Sequence, residues 1–121
     1  MNRALAIAAV LTVLTGCTSN PRIEDLQPQE RAKLSSIAVL DGTPSREYEV
    51  IGSVTGLSCN RNKYQAQDVS DREALEGVKL KAAQINADAV INTFCQKTSD
   101  TDWRNNCWAS VKCIGDAVRW R

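Results

Sequence analysis

The sequence predicts a small α+β domain in which one mainly antiparallel sheet packs on one helix in the order β-β-α-β-β, held by two disulfides. Three observations support this fold class. Four short segments carry the apolar runs or two-residue alternation of strands, and one segment repeats its apolar residues at helical spacing. Four cysteines are spread over segments that lie far apart in the chain. The 121 residues suffice for one such domain, which we assign to residues 37–121.

Residues 1–16 have the order of a secretory signal peptide. A basic residue, Arg3, precedes an apolar run over Ala4–Leu14, which is shorter than the ~20 residues of a membrane-spanning helix. Small residues follow at once and lead into Cys17. An ordinary secretory signal, followed by a cysteine by chance, is the alternative to the lipoprotein signal described next.

The motif Leu14–Cys17 resembles the lipobox of bacterial lipoproteins. The resemblance implies that cleavage makes Cys17 the first residue and that its thiol and its amine are acylated. Several acyl chains anchor a protein stably where a single chain is marginal. Thr18 stands where an aspartate would favour the inner membrane, so the resemblance implies the outer membrane.

Residues 17–36 are expected to form a polar tether between the lipid and the domain. The segment carries Pro21 and Pro28 and has no sustained apolar period, although Gln29–Lys33 could form one helical turn. As a coil, about 20 residues reach roughly 25 Å root-mean-square. The domain would therefore lie close to the membrane, in the periplasm.

The first two strands are predicted at Ile37–Asp41 and Tyr48–Gly56. The turn residues Gly42–Ser45 separate them, and Cys59 closes the second strand. The glycines of the second strand indicate a bulge or a close approach of another backbone.

The predicted helix begins after Ser70, which can form a capping box with Glu73, and closes at Asn86–Asp88. Its buried face is expected to consist of Leu75, Val78, Ala82, Ile85 and Ala89. Gly77 inside the helix is expected to mark close packing on the sheet.

The last two strands are predicted at Ala89–Gln96 and Cys107–Arg119, with a polar loop between them and a bend at Gly115. Six extended residues span roughly 20 Å. A disulfide needs Cα atoms within about 7 Å. Cys107 and Cys113, on one strand, therefore cannot bond to each other.

Two disulfide patterns are compatible with that strand. One joins Cys59 to Cys107 and Cys95 to Cys113, and the other joins Cys59 to Cys113 and Cys95 to Cys107. With Cys17 assigned to the lipid, an even number of cysteines remains for an oxidising compartment. A zinc site is the weaker interpretation, because the paired short spacings of zinc ribbons are absent from the sequence.

Composition argues against several classes of function. The sequence has 15 basic and 14 acidic residues and a net charge of +1, which makes no electrostatic case for nucleic-acid binding. It has no histidine, so the usual general base and the commonest metal ligand are missing. We therefore expect neither an enzyme nor a cofactor, and assign no catalytic or metal-binding residue.

Four side chains are candidate partner contacts. Trp103 lies in a polar loop, where an aromatic ring suits a protein contact, an interfacial anchor or local loop packing. Arg72, Lys79 and Lys81 fall on the outer face of the predicted helix. They could dock an acidic partner surface, although such charges more often form a solvated face.

Four motifs together resemble the RcsF family, outer-membrane lipoproteins that sense envelope stress for the Rcs phosphorelay. The motifs are Gly52–Cys59, Asn86–Ile91, Cys95 and Cys107–Gly115. The resemblance extends roughly over residues 48–118 and includes the lipobox.

The resemblance implies an α+β domain without enzymatic activity, with disulfides Cys59–Cys107 and Cys95–Cys113. It also implies three partners: the outer membrane through acyl chains on Cys17, the barrel-assembly machinery or barrel proteins, and an IgaA-like inner-membrane regulator. The family's linker after the lipid is long and rich in proline and lysine, whereas the tether here is short. A second interpretation is therefore a lipid-anchored periplasmic binding or structural module of the same fold, without a phosphorelay role.

Overall fold

The computed structural model describes residues 20–62, 64, 68–98 and 100–121. The elements are helices α1 (Pro28–Lys33) and α2 (Asp71–Gln84) and strands β1 (Ala38–Val39), β2 (Tyr48–Asn60), β3 (Ala89–Thr98) and β4 (Ala109–Trp120). The predicted α+β class with two disulfides is confirmed. The expectation of a single helix is wrong, because α1 precedes β1 and packs on α2.

The four strands form one mixed sheet in the order β1-β3-β4-β2. β4 lies inside the sheet and pairs antiparallel with both β2 and β3. β1 instead pairs parallel with β3, at Ala38–Ala89 and Val39–Val90. The short first strand therefore makes the sheet mixed, although most of its pairing is antiparallel.

α2 begins where the sequence predicts and buries a slightly different face. Ser70 is its N-cap and accepts a hydrogen bond from the Glu73 backbone N–H at 3.2 Å. The buried residues of α2 are Ala74, Gly77, Val78, Ala82 and Ala83. Leu75 is half-buried and Ile85 is exposed, so these two expected core residues lie at the margin of the buried face.

β4 begins two residues later than predicted. Cys107 lies outside the strand, in an isolated bridge in which it and Asp102 exchange backbone hydrogen bonds of 2.7 and 2.9 Å. The strand itself is continuous through Gly115, where a bend was expected. Cys107 therefore belongs to the loop between β3 and β4.

Residues 20–36, assigned from the sequence to the tether, pack on the domain, and we call this segment the strap. Leu26 inside it and Ile37 just after it are each 3% exposed and belong to the core between the sheet and α2. Near its end, Lys33 bonds to the Asn86 carbonyl and forms a salt bridge with Asp88, both at 3.1 Å. Over these residues the segment is therefore no free coil.

The sheet buries apolar residues on both faces. The larger core, which includes Cys113, lies between the sheet and α2. A smaller cluster on the opposite face consists of Ala89, Ile91 and Val118, with Leu40, Tyr48 and Trp120 packed against it. We call this second face the open face, because no helix covers it in the part of the chain that the structure describes.

Candidate interaction surfaces

The two disulfides join Cys59 to Cys107 and Cys95 to Cys113. Of the two patterns compatible with the strands, this is the one that the resemblance implies. Cys95 and Cys113 are direct partners across β3 and β4, with Cα atoms 4.0 Å apart. Cys59 and Cys107 tie the end of β2 to the loop before β4, with Cα atoms 5.4 Å apart. All four of these sulfurs are bonded, so none is a free thiolate ligand.

The loop before β4 is organised by the carboxylate of Asp102. That carboxylate accepts hydrogen bonds from the Arg104 and Asn105 backbone N–H groups at 3.0 and 3.2 Å and from the Asn105 side-chain amide at 2.6 Å. These bonds, the Asn105 side chain first, hold the pKa of Asp102 below its ordinary value. Together with the disulfide at Cys107 they give the loop a defined shape.

Trp103, a predicted contact residue, is 81% exposed and packs edge-on against Trp108, which is 37% exposed. Their ring centroids lie 6.5 Å apart. The Trp108 backbone N–H donates to the carbonyl of Asn60 at 2.7 Å, which places the pair beside the end of β2. The sequence predicted Trp103, but not Trp108, as a contact residue.

The three predicted cationic contacts do not form one patch. Arg72 and Lys79 line a surface groove of about 400 Å³, where Glu76 lies beside them. Lys81 instead donates to the hydroxyl of Thr55 on β2 at 3.2 Å. The helix therefore presents mixed charge to this groove.

A second groove continues the first along the edge of β3. It measures about 410 Å³ and shares Val39 and Leu75 with the first groove. Thr93 and Cys95 of β3 form its other side. The Thr93 hydroxyl oxygen is buried and has no hydrogen-bond partner among the described residues.

The open face carries an exposed apolar pair that the sequence interpretation missed. Phe94 and Ile114 are direct partners across β3 and β4 and are 62% and 43% exposed. Each adjoins a disulfide cysteine, and Cys113 points into the larger core, so this pair points the other way. Strand alternation around the two cysteines was the available signal.

Asn20, at the start of the strap, is held on the outer edge of β2. Its side-chain amide donates to the Leu57 carbonyl at 2.6 Å, and its amide oxygen accepts from the Leu57 N–H at 2.8 Å. Arg22 and Arg61 line a polar recess of about 270 Å³ beside it. No sequence pattern pointed to this contact, because it joins residues 37 positions apart.

Cys17, the predicted lipidation site, lies outside the described residues. Among the described helices, none is both long and apolar enough to cross a membrane.

No protein-family model matches the chain, and a search of curated proteins found no match.

Proposed function

We propose that this protein is an outer-membrane lipoprotein of the RcsF type, a non-enzymatic envelope-stress sensor that signals to the Rcs phosphorelay by protein–protein contact. The observation that carries the proposal is the pairing of Cys59 with Cys107 and of Cys95 with Cys113 on an α+β domain. Chain geometry alone allowed another pattern. The lipobox at Cys17 adds the anchor.

A contact sensor needs a rigid domain with exposed apolar groups on its surface. The cross-strand disulfide at Cys95 stiffens the strand pair that displays Phe94 and Ile114. On this proposal, that pair on the open face meets the barrel-assembly machinery or an IgaA-like regulator in the periplasm. Catalysis plays no part in such signalling.

The proposal is tested by deleting the gene and following a phosphorelay-dependent reporter under outer-membrane damage. We expect the response to be lost on deletion and restored by the wild-type protein. Phe94→Ser should fail to restore it at equal protein level, and Ile23→Ser, a matched change of an exposed strap residue, should restore it. An unchanged response in the deletion strain would rule out the signalling role.

A second candidate, a lipid-anchored binding or structural module without a phosphorelay role, is favoured by the docked strap. Because Asn20 is bound to β2, the strap adds little reach toward an inner-membrane partner. Cross-linking from Phe94 to barrel-assembly components, combined with an unchanged reporter in the deletion strain, would select this candidate.

A further inference from the structure

The exposed tryptophan pair and the start of the strap lie at the same end of the sheet. Trp108 bonds to Asn60 at the end of β2, and Asn20 bonds to Leu57, three positions earlier in that strand. Three strand residues span roughly 10 Å. We call this end the Trp end, and its residues are Asn20, Arg22, Arg61, Trp103 and Trp108.

The lipid proposed at Cys17 is tied closely to this end. Three residue steps separate Cys17 from Asn20, and an extended chain covers at most ~11 Å in three steps. Asn20 itself is fixed to β2 by two hydrogen bonds. Acyl chains on Cys17 can therefore enter a bilayer only if Asn20 lies within about that distance of its surface.

The side chains at the Trp end suit a lipid surface. Tryptophan is enriched at the headgroup level of membranes, because its ring is apolar and its N–H is polar. The nearby charges have both signs: Glu73 shares the recess of Arg22 and Arg61, and Trp103 lies between Asp102 and Arg104. We therefore expect the rings, rather than an attraction to anionic lipid, to dominate the contact.

We propose that the Trp end rests on the membrane that holds the lipid of Cys17, with Trp103 and Trp108 among the headgroups. This inference depends on the proposed lipidation. Trp108 bonds to Asn60, roughly 10 Å along β2 from the Leu57 to which Asn20 is bound, so a protein partner would have to reach the rings near the bilayer surface. Because the Trp end is an end of the sheet and not a face, Phe94 and Ile114 on the open face stay accessible to proteins.

The test uses the lipidated full-length protein in vesicles of phosphatidylethanolamine and phosphatidylglycerol, with and without bromine on the acyl chains near the headgroup. Bromine quenches only nearby tryptophans. Trp120→Phe leaves the pair as reporters, and Trp103→Phe with Trp108→Phe leaves Trp120. Trp120 pairs with Tyr48 at the opposite end of β2, roughly 40 Å away.

Bromine quenching in the Trp120→Phe variant, and its loss in the double variant, would support the proposal. Mass spectrometry shows whether Cys17 is acylated. If it is, and the tryptophan pair is quenched by aqueous iodide but not by bromine, the proposed orientation is wrong while the proposed anchor stands. Protection of the pair only after an outer-membrane protein is added would overturn the proposal in favour of a protein contact. A Cys17 without acyl chains would remove both the anchor and the orientation.

A spacer variant tests whether the short connection enforces the contact. Ten Gly/Ser residues inserted between Ser19 and Asn20 lengthen the span while keeping the strap residues. We expect bromine quenching to fall in this variant. Undiminished quenching would overturn the inference that the short connection holds the Trp end at the membrane.

Discussion

At the residue scale, Gly77 and Asn20 depend on each other. A Cβ on Gly77 would overlap the side chain of Asn20, which is bound to Leu57 on the other side. The sequence predicted that Gly77 marks close packing on the sheet, whereas the neighbour that excludes a side chain belongs to the strap. Gly56 on β2 is the glycine at which the sheet and α2 approach, because a Cβ there would overlap the Ala74 carbonyl oxygen.

A double-mutant cycle tests this dependence. Asn20→Ala removes two hydrogen bonds and should lower the free energy of unfolding by about 1–2 kcal/mol. Gly77→Ala alone should also destabilise, because the new methyl group displaces Asn20. In the Asn20→Ala background the same change should stabilise by about 0.5–1 kcal/mol, the helix preference of alanine over glycine. Urea unfolding gives all four values, and a destabilising Gly77→Ala in both backgrounds would contradict the contact.

The lowered pKa of Asp88 predicts that stability depends on pH. The Trp120 backbone N–H donates to its carboxylate at 2.9 Å, and this bond, followed by Lys33, holds the pKa of Asp88 below its ordinary value of 3.8. A lowered folded-state pKa means that the stabilisation is complete above the unfolded pKa. It is lost as the pH falls through the folded-state pKa, because the unfolded chain binds the proton more readily.

The wild type should therefore lose free energy of unfolding when the pH is lowered from 7 to below about 4, and Asp88→Asn should lose less. Lys33→Met should remove only part of that loss, since the backbone bond to Trp120, the largest single cause, remains. Urea unfolding across this range gives the comparison. Equal pH dependence in the wild type and Asp88→Asn would show that this carboxylate does not matter.

At the scale of elements, the two disulfides stabilise different parts of the fold. Cys95–Cys113 crosses two strands that already pair along most of their length, whereas Cys59–Cys107 holds a loop with little regular structure. They close chain segments of 18 and 48 residues. The disulfide that closes the longer segment, Cys59–Cys107, restricts the unfolded chain more.

Replacing Cys59 and Cys107 by alanine should cost about 4 kcal/mol, and replacing Cys95 and Cys113 about 3 kcal/mol, on the loop-closure model. Hydrogen exchange separates the two more sharply. Residues 100–108 should lose protection in the first variant and keep it in the second. Equal loss of protection in both variants would mean that the sheet, and not the disulfide, holds the loop.

The element boundaries show where pattern arguments succeed. β2 and α2 begin where alternation and the Ser70 cap predict, because those signals are local. Cys107 continued the alternation of β4 in the sequence, yet it pairs with Asp102 in a turn. The competing signal, the Asp102 turn, is short and polar and was not distinguished from an ordinary loop.

For the whole molecule, the strap adds buried contacts that a sheet with one helix would lack, since Leu26 joins the core between the sheet and α2. Leu26→Ala tests its docking and should cost about 2–5 kcal/mol, the usual range for a buried leucine. Ile23→Ala in the same segment is the control: Ile23 is 56% exposed, and the change should stay within about 0.5 kcal/mol. Urea unfolding of both variants measures these changes in the free energy of unfolding. An unchanged value for Leu26→Ala would mean that residues 20–36 form a free tether, as the sequence predicted.

The candidate interaction surfaces were only partly predictable. Trp103 was predicted as a contact because an aromatic residue in a polar loop is conspicuous in the sequence. Phe94 and Ile114 were assigned to strands without a face, since the face depends on which neighbours are buried. The sequence grouped the charges on α2 by helix face. The residues that surround them, Ile37, Val39 and Thr55, belong to other parts of the chain.

By itself, the sequence determined the α+β class, the N-cap of α2, the approximate strands and the even set of cysteines, because these follow from residues near one another in the chain. Tertiary structure alone decided that the strap docks through Asn20 and Leu26, that β1 runs parallel to β3, and that Phe94 meets Ile114 on the open face. These features join residues far apart in sequence. Their free energy comes from packing and hydrogen bonds that exist only once the whole chain has folded.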